Sequence, residues 1–363
     1  MKKKLWIIIA IVVVIAAIVF AFRPHHGAEN PDGKPIVKIG VNVPMTGDVG
    51  LFGHIVRGSV DLARQDMAHR DLRYRYEFIF EDNQFDTKRA AAINNKFVSV
   101  NKVDAIMDLS SNIGLLTSKI AEENKILHIN VSALDPAVAK GKYSFVHWTP
   151  PENEVALMMT QIKNKGARNV VIFTAIDHDT IIISDILKNS LTAGKIKFTE
   201  FKTNPDERNL LPLVQKTESL KPDLYILVQY PPVLDLLLRR LRETNTKAEI
   251  TAIESFDFLE DPNLANNLWF VTAADISDAN RAKFVNHLGT DNLFTAGNTY
   301  DSVMLIVQAF ETASDKESAA DNLNQIKNYT GIMGELRQDA RGIFHSDAQI
   351  KIIKNGKPET VKE

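Results

Sequence analysis

The sequence predicts an α/β protein built from two similar doubly wound lobes in series. Strand-like and helix-like stretches alternate from Ile36 onward, the pattern of a parallel sheet with helical crossovers. Thr149-Pro150-Pro151 interrupts the alternation, because two consecutive prolines stop both a helix and a strand ladder; a second alternation then begins. The length of 363 residues agrees, since it exceeds what one hydrophobic core ordinarily supports.

In chain order, Lys2, Lys3 and Lys4 come first, followed by an uninterrupted apolar run from Leu5 to Phe22. Eighteen helical residues span about 27 Å, close to the hydrocarbon thickness of a bilayer. The run is longer than the core of a cleaved signal peptide, and the lysines predict a cytoplasmic N-terminus. A transmembrane signal anchor over residues 1–23 is therefore expected, with cleavage near His26-Gly27-Ala28 as the alternative. Either outcome exports the body, which is expected on the periplasmic or extracytoplasmic side, tethered to the inner membrane by residues 5–22. Residues 24–35 are polar and contain Pro24, Gly27, Pro31, Gly33 and Pro35, the composition of a flexible tether.

The first alternation reads as strand IVKIGVNV, helix Ile55 to Ala68, strand Tyr74 to Phe80, helix Thr87 to Val100, and then the stretch from Ala105 to Pro136. That stretch reads strand, serine-rich turn, helix, strand, serine-rich loop. Strand Phe145 to Trp148 closes the series. Beyond the prolines come helix Asn153 to Lys165, strand Val170 to Thr174, helix Thr180 to Leu191, strand Ile196 to Phe201 and helix Leu210 to Ser219. Strand Leu224 to Val228, helix Val233 to Glu243, and strands Glu249 to Ile253 and Leu268 to Val271 follow. Helices are expected over Thr299 to Thr312 and Glu317 to Tyr329, then a hairpin turning at Asn355-Gly356.

Ligands of open α/β sheets gather outside the carboxyl ends of the strands. There the sequence offers Ser110, Ser111 and Ser132 from the first lobe and Glu254 from the second. Free N–H groups at a helix start favour an anion such as a ligand carboxylate. Serines at such positions also act simply as helix caps, and a loop carboxylate such as Glu254 is equally at home in solvent. Gly47, Gly50 and Gly53 mark a tight loop beneath a ligand or another stretch of backbone.

Other classes of function find little support. The formal charge is −2, and since residues 1–23 carry four basic and no acidic residues the remainder stands at −6, which gives no reason to expect nucleic acid. The absence of cysteine excludes disulfides, thiol catalysis and a lipid anchor on an N-terminal cysteine. Signatures of nucleophile elbows, phosphate loops, dinucleotide sites and zinc proteases are missing. His128 and His147 lie in strands near the strand ends without a paired ligand spacing. No metal, no cofactor and no enzymatic activity are expected.

IVKIGVNVPMTGDVGLFG, with Gly58 and Asp66 in the helix that follows, resembles the start of the periplasmic leucine/isoleucine/valine-binding protein family of ABC-transporter substrate-binding proteins. DLSSN, VSALDP, PDLYILVQY, NTYDSVMLIVQAF and GIMGELRQDARGIF continue the resemblance across residues 36–355. It implies a type I periplasmic-binding fold: two Rossmann-like lobes joined by three crossovers and closing on a ligand by hinge motion. By that analogy the first lobe comprises 36–148 with about 273–335, the second 151–271 with about 340–363, and the segments near Thr149 and Thr272 are hinge strands.

The resemblance also assigns a site. Ser111 matches the serine that binds an amino acid's carboxylate, and Ser132 a further first-lobe contact. Tyr230 and Glu254 match the second-lobe tyrosine and the acid that pairs with the ligand's ammonium, and Phe52 matches an aromatic lid. Two positions depart from the pattern. Leu134 replaces a threonine that helps hold ligand, and Asp179-Thr180 stands where the family offers Tyr-Gly. Asp179 is expected either as the N-cap of the helix starting at Thr180 or facing the cleft, where a second carboxylate beside Glu254 favours a cationic or polar ligand. The expected function is capture of a small amino-acid-like ligand for an ABC permease; the alternative is a tethered sensor or scaffold acting on a separate signalling partner.

Overall fold

The computed structural model describes residues 33–361 apart from 48 and 245. The membrane helix expected over residues 5–22 lies outside the described residues. Among those described, no helix is long and apolar enough to cross a membrane. Contacts divide the chain between Ile36 and Val37, and the larger unit carries both lobes.

The first alternation forms β1 (Ile36–Val43), α1 (Gly50–Met67), β2 (Arg75–Asp82), α2 (Thr87–Lys96), β3 (Ala105–Asp108), α3 (Ser111–Asn124), β4 (Leu127–Asn130) and β5 (Ser144–His147). The second forms α4 (Pro151–Lys165), β6 (Asn169–Ala175), α5 (His178–Ala193), β7 (Lys197–Thr203), α6 (Leu211–Glu218), β8 (Leu224–Val228), α7 (Val233–Glu243), β9 (Glu249–Ala252) and β10 (Trp269–Thr272). The chain continues through α8 (Asp278–Leu288), α9 (Ala296–Thr312), α10 (Ala319–Gln325), β11 (Asn328–Gly331), β12 (Gly334–Gln338), β13 (Ile343–His345), β14 (Gln349–Lys354) and β15 (Lys357–Thr360).

The first sheet runs β11-β12-β13-β5-β4-β3-β1-β2, with β1, β3, β4 and β5 parallel to one another in the register that sets Asn42 beside Asp108 and Asp108 beside Asn130. The second runs β7-β6-β8-β9. A bridge between Ile253 and Val271 brings β10, and with it β14 and β15, against its edge. Apolar residues of β1, α1 and α9 make the first core, and α9 is buried almost all round, as its unbroken VMLIV run requires. Near the crossovers, the Thr149 hydroxyl accepts from the Ala274 N–H at 3.2 Å and donates to the Ser346 carbonyl at 3.4 Å, so three chain crossings lie side by side.

Three local expectations need correction. The helix expected over Glu317 to Tyr329 is the short α10 followed by a strand, because Tyr329 pairs antiparallel with Leu336. Helix α8 was not expected at all; its apolar residues are few, and Phe284 is its one buried side chain. Residues 343–345, expected with the second lobe, pair with β5 in the first sheet. Of the two alternatives for the first-loop glycines, Gly53 meets the backbone one, since a Cβ there would stand 2.0 Å from the Pro44 carbonyl oxygen, whereas a Cβ on Gly47 would meet nothing within 4 Å. The hairpin turn does fall at Asn355-Gly356, both with positive φ, as a two-residue turn between twisted strands requires.

Candidate functional site

A buried polar network fixes the first-lobe loops. Asp108 Oδ1 meets His128 Nε2 at 2.9 Å and accepts from Asn130 Nδ2 at 2.8 Å; the same amide nitrogen donates to the Ser110 carbonyl at 2.9 Å. Asn130 in turn accepts from the Ser132 N–H, and the Ser132 hydroxyl oxygen accepts from the Ser110 N–H at 2.9 Å. His128 is thus a structural histidine. So is His147, whose Nδ1 faces the Asn298 carbonyl and whose pKa burial lowers to about 3. Among the described residues no group of three His, Asp or Glu is arranged to hold a metal.

Neither serine caps α3 through its side chain. Ser110 adopts φ 71° and leaves its buried hydroxyl without a partner. The Ser111 hydroxyl oxygen accepts from the N–H groups of Leu134 and Asp135, at 2.9 and 3.0 Å, which buttons the loop after β4 onto the start of α3. Leu134 is buried and contributes that N–H in place of a ligand-facing hydroxyl.

Asp179 is not the N-cap of its helix. That role belongs to Asp177, whose carboxylate accepts from the Asp179 N–H at 3.0 Å. Asp179, in the first turn of α5, instead lies against the hydroxyl and N–H of Ser111 across the cleft. Burial raises its pKa to about 6 against the opposing pull of Ser111, and its Oδ1 is buried without a partner. Its neighbour His178 meets Asp135 across the same boundary at 3.0 Å. The two lobes are therefore stitched together by second-lobe side chains on first-lobe loops.

Glu254 follows β9 with φ 58° and is 5% exposed. Its Oε1 accepts from Trp148 Nε1 at 3.0 Å. Burial pushes its pKa to about 7, the Trp148 bond opposing and the charges of Asp179 and Asp257 reinforcing. Glu154, in the first turn of α4, faces it. Burial and the charge of Glu254 raise the Glu154 pKa well above the carboxylate range, and neither Glu154 oxygen has a hydrogen-bond partner in the protein.

Aromatic rings fill the space between. Phe52 packs on Phe294 at 5.0 Å and on Phe258 at 6.4 Å; Trp148 meets Phe294 at 5.2 Å and Tyr230 meets Phe258 at 5.4 Å. Phe52, in the first turn of α1, therefore rests on Phe294, which precedes α9, and on Phe258 from the second lobe. Beside the cluster lies a cavity of about 360 Å³ walled by Trp148, Glu254, Phe258 and Phe294. Of the seven residues expected at the site, Glu254 lines this cavity. Ser111, Ser132, Leu134 and Asp179 gather at the α3 start, and Phe52 and Tyr230 belong to the ring cluster. Glu154, Trp148, Phe258, Phe294 and His178 were missed by the sequence reading.

The profile of the family described as "Periplasmic binding protein" matches residues 36–356. This chain belongs to that family. As a periplasmic binding protein it acts by binding a solute rather than by catalysis, and the family implies an extracytoplasmic location. A leucine-, isoleucine-, valine-, threonine- and alanine-binding protein of Pseudomonas aeruginosa is 22% identical over 318 residues, covering 82% of this chain and 85% of its own. A leucine-binding protein from Thermotoga maritima shares the fold with a TM-score of 0.79 at 24% identity, over 90% of this chain and 98% of its own. A solute-binding protein from Rhodopseudomonas palustris, solved with 3,4-dihydroxybenzoic acid, has a TM-score of 0.77 at 15% identity, over 90% and 96% of the two chains. The resemblance of the sequence to the leucine/isoleucine/valine-binding proteins is thus met at the level of family and fold.

Proposed function

We propose that this periplasmic binding protein captures a small amino-acid-like solute between its lobes and delivers it to the permease of an ABC importer, Glu254 receiving the solute's ammonium group. The observation that carries the reading is Glu254 itself: a carboxylate 5% exposed, held by one indole N–H on the wall of a 360 Å³ cavity, with no ion pair to a protein cation among the described residues. A buried charge lacking a counter-ion is costly, and an ammonium ligand supplies one. The cavity is within the usual range for a small-molecule site. Phe52 and Tyr230 pack on Phe258 and Phe294, two of the rings that wall the cavity, and the Ser111 hydroxyl holds the loop after β4 that carries Ser132 and Leu134.

A thermal-shift screen of the full-length chain against amino acids and simple amines tests the reading, with Glu254→Ala beside the wild type. A ligand at a hundred times its dissociation constant adds about 2.7 kcal/mol to the stability of the folded state. The expected result is a raised midpoint with at least one ammonium-bearing solute and none in the variant. A hit of equal size in Glu254→Ala overturns the assignment of Glu254.

A further inference from the structure

We propose that the solute taken into the cavity beside Glu254 is an organic cation without a carboxylate, an amine rather than an α-amino acid, an inference that rests on the solute-capture reading above. The first ground is that the anion seat at the start of α3 is already taken. The Ser111 hydroxyl oxygen accepts from Leu134 and Asp135, and Asp179, buried in the first turn of α5, stands close enough to Ser111 for that serine to lower its pKa.

The second ground is the charge of the cavity wall. Three described cations line it, Arg281, Lys351 and Lys357, and each is committed to an aspartate. Arg281 pairs with Asp275 at 3.2 Å, Lys351 with Asp257 at 3.2 Å and with Asp275 at 3.3 Å, and Lys357 with Asp291 at 3.5 Å. Arg281 and Lys351 are thereby occupied, and Lys357 lies at the exposed rim, its side chain 75% exposed. Glu254, by contrast, shares the wall with no cation of its own and has Glu154 at its back, a fully buried carboxyl whose two oxygens accept from no protein donor.

The third ground is the lining of the cavity. Trp148, Phe258 and Phe294 present ring surface beside Glu254. Aromatic faces next to a carboxylate attract ammonium groups through the ring quadrupole and offer nothing to an anion. A cation in this cavity would satisfy Glu254, while a zwitterion would bring its negative end to a wall that already carries Glu254, Asp257, Asp275 and Asp291.

Isothermal titration of the full-length chain with leucine and with 3-methylbutylamine isolates the carboxylate, because the two ligands differ in that group alone; putrescine serves as a second amine probe. The expected result is that 3-methylbutylamine or putrescine binds at least about tenfold more tightly than leucine. Asp179→Ala, which reopens the seat on Ser111, is expected to narrow that ratio. Leucine binding as tightly as the amines to the wild type overturns the inference and leaves solute capture standing. No heat from either amine or from any amino acid overturns both. The comparison is made on the wild-type chain, so a variant that fails to fold does not remove the test.

Discussion

The indole Nε1 of Trp148 donates to Oε1 of Glu254 at 3.0 Å, joining the residue that follows β5 in the first lobe to the residue that opens the loop after β9 in the second. The bond makes the ionised form of a buried carboxylate tolerable while tying the two lobes at the cavity wall. Trp148→Phe keeps most of the ring and removes the donor. A loss of about 1–3 kcal/mol is expected, read from urea unfolding at pH 8, where Glu254 is ionised. The same variant should titrate Glu254 at a higher pH than about 7.

Stability should fall as pH rises from 5 to 8. Glu254 and Asp179 have folded-state values raised to about 7 and about 6, mainly by burial, so between the ordinary carboxylate range and those values the folded chain holds protons that the unfolded chain has released. Stability from this source is complete below the unfolded values and is lost as pH climbs through the folded ones. The groups acting on Glu254 are Trp148 and Glu154, which favour its charge, and Asp179 and Asp257, which oppose it. Thermal midpoints at half-unit steps should decline over this window, and Glu254→Gln should flatten the decline and be more stable than wild type at pH 8. A midpoint rising with pH in the wild type contradicts the assignment.

Much of the fold could be read from the chain, and the reason is local. Apolar runs of four to eight residues bounded by turn residues identified β1, β3, β4, β6, β8 and β9, whose burial is nearly complete. What failed depended on partners distant in sequence. Tyr329 belongs to a strand because Leu336 pairs with it. Asp179 looked like a cap because it precedes Thr180, yet Asp177 closes the turn two residues earlier and frees Asp179 for Ser111. Glu154 reads as one more acid in a helix's first turn, and nothing within PENEV shows that Glu254 lies opposite. Glu254 itself was legible, because an acid directly after a buried strand stands where ligands of such sheets collect.

His178 and Asp135 hold the lobes at 3.0 Å, with His178 partly exposed. A pair of this kind contributes about 0.2–1 kcal/mol. His178→Ala should shift the ligand-free population toward an open form by up to about fivefold. Small-angle scattering should register a larger radius of gyration that returns to the wild-type value when ligand is added. No difference between the two ligand-free chains would remove the pair from the closure mechanism.

Gly53 backs onto Pro44 so closely that a Cβ would stand 2.0 Å from a backbone oxygen. Gly53→Ala is expected to cost about 1–3 kcal/mol of unfolding free energy, because the first turn of α1 must move. Phe52 moves with it, and the aromatic contacts to Phe258 and Phe294 loosen. Ligand affinity should therefore fall in the same variant, whereas a change to stability alone would show that Phe52 is not part of the site.

The seat of the ligand's ammonium on Glu254 is the centre of this account, and proton release on binding tests it most directly. At pH 7 Glu254 is close to its own pKa of about 7, so a cation that demands the carboxylate should expel about half a proton per site. Titrating the wild-type chain with an amine ligand in two buffers of different ionisation enthalpy should show that release, and Glu254→Gln should abolish it. Binding heats that are the same in both buffers, or an equal release from the variant, would contradict the claim that Glu254 receives the solute.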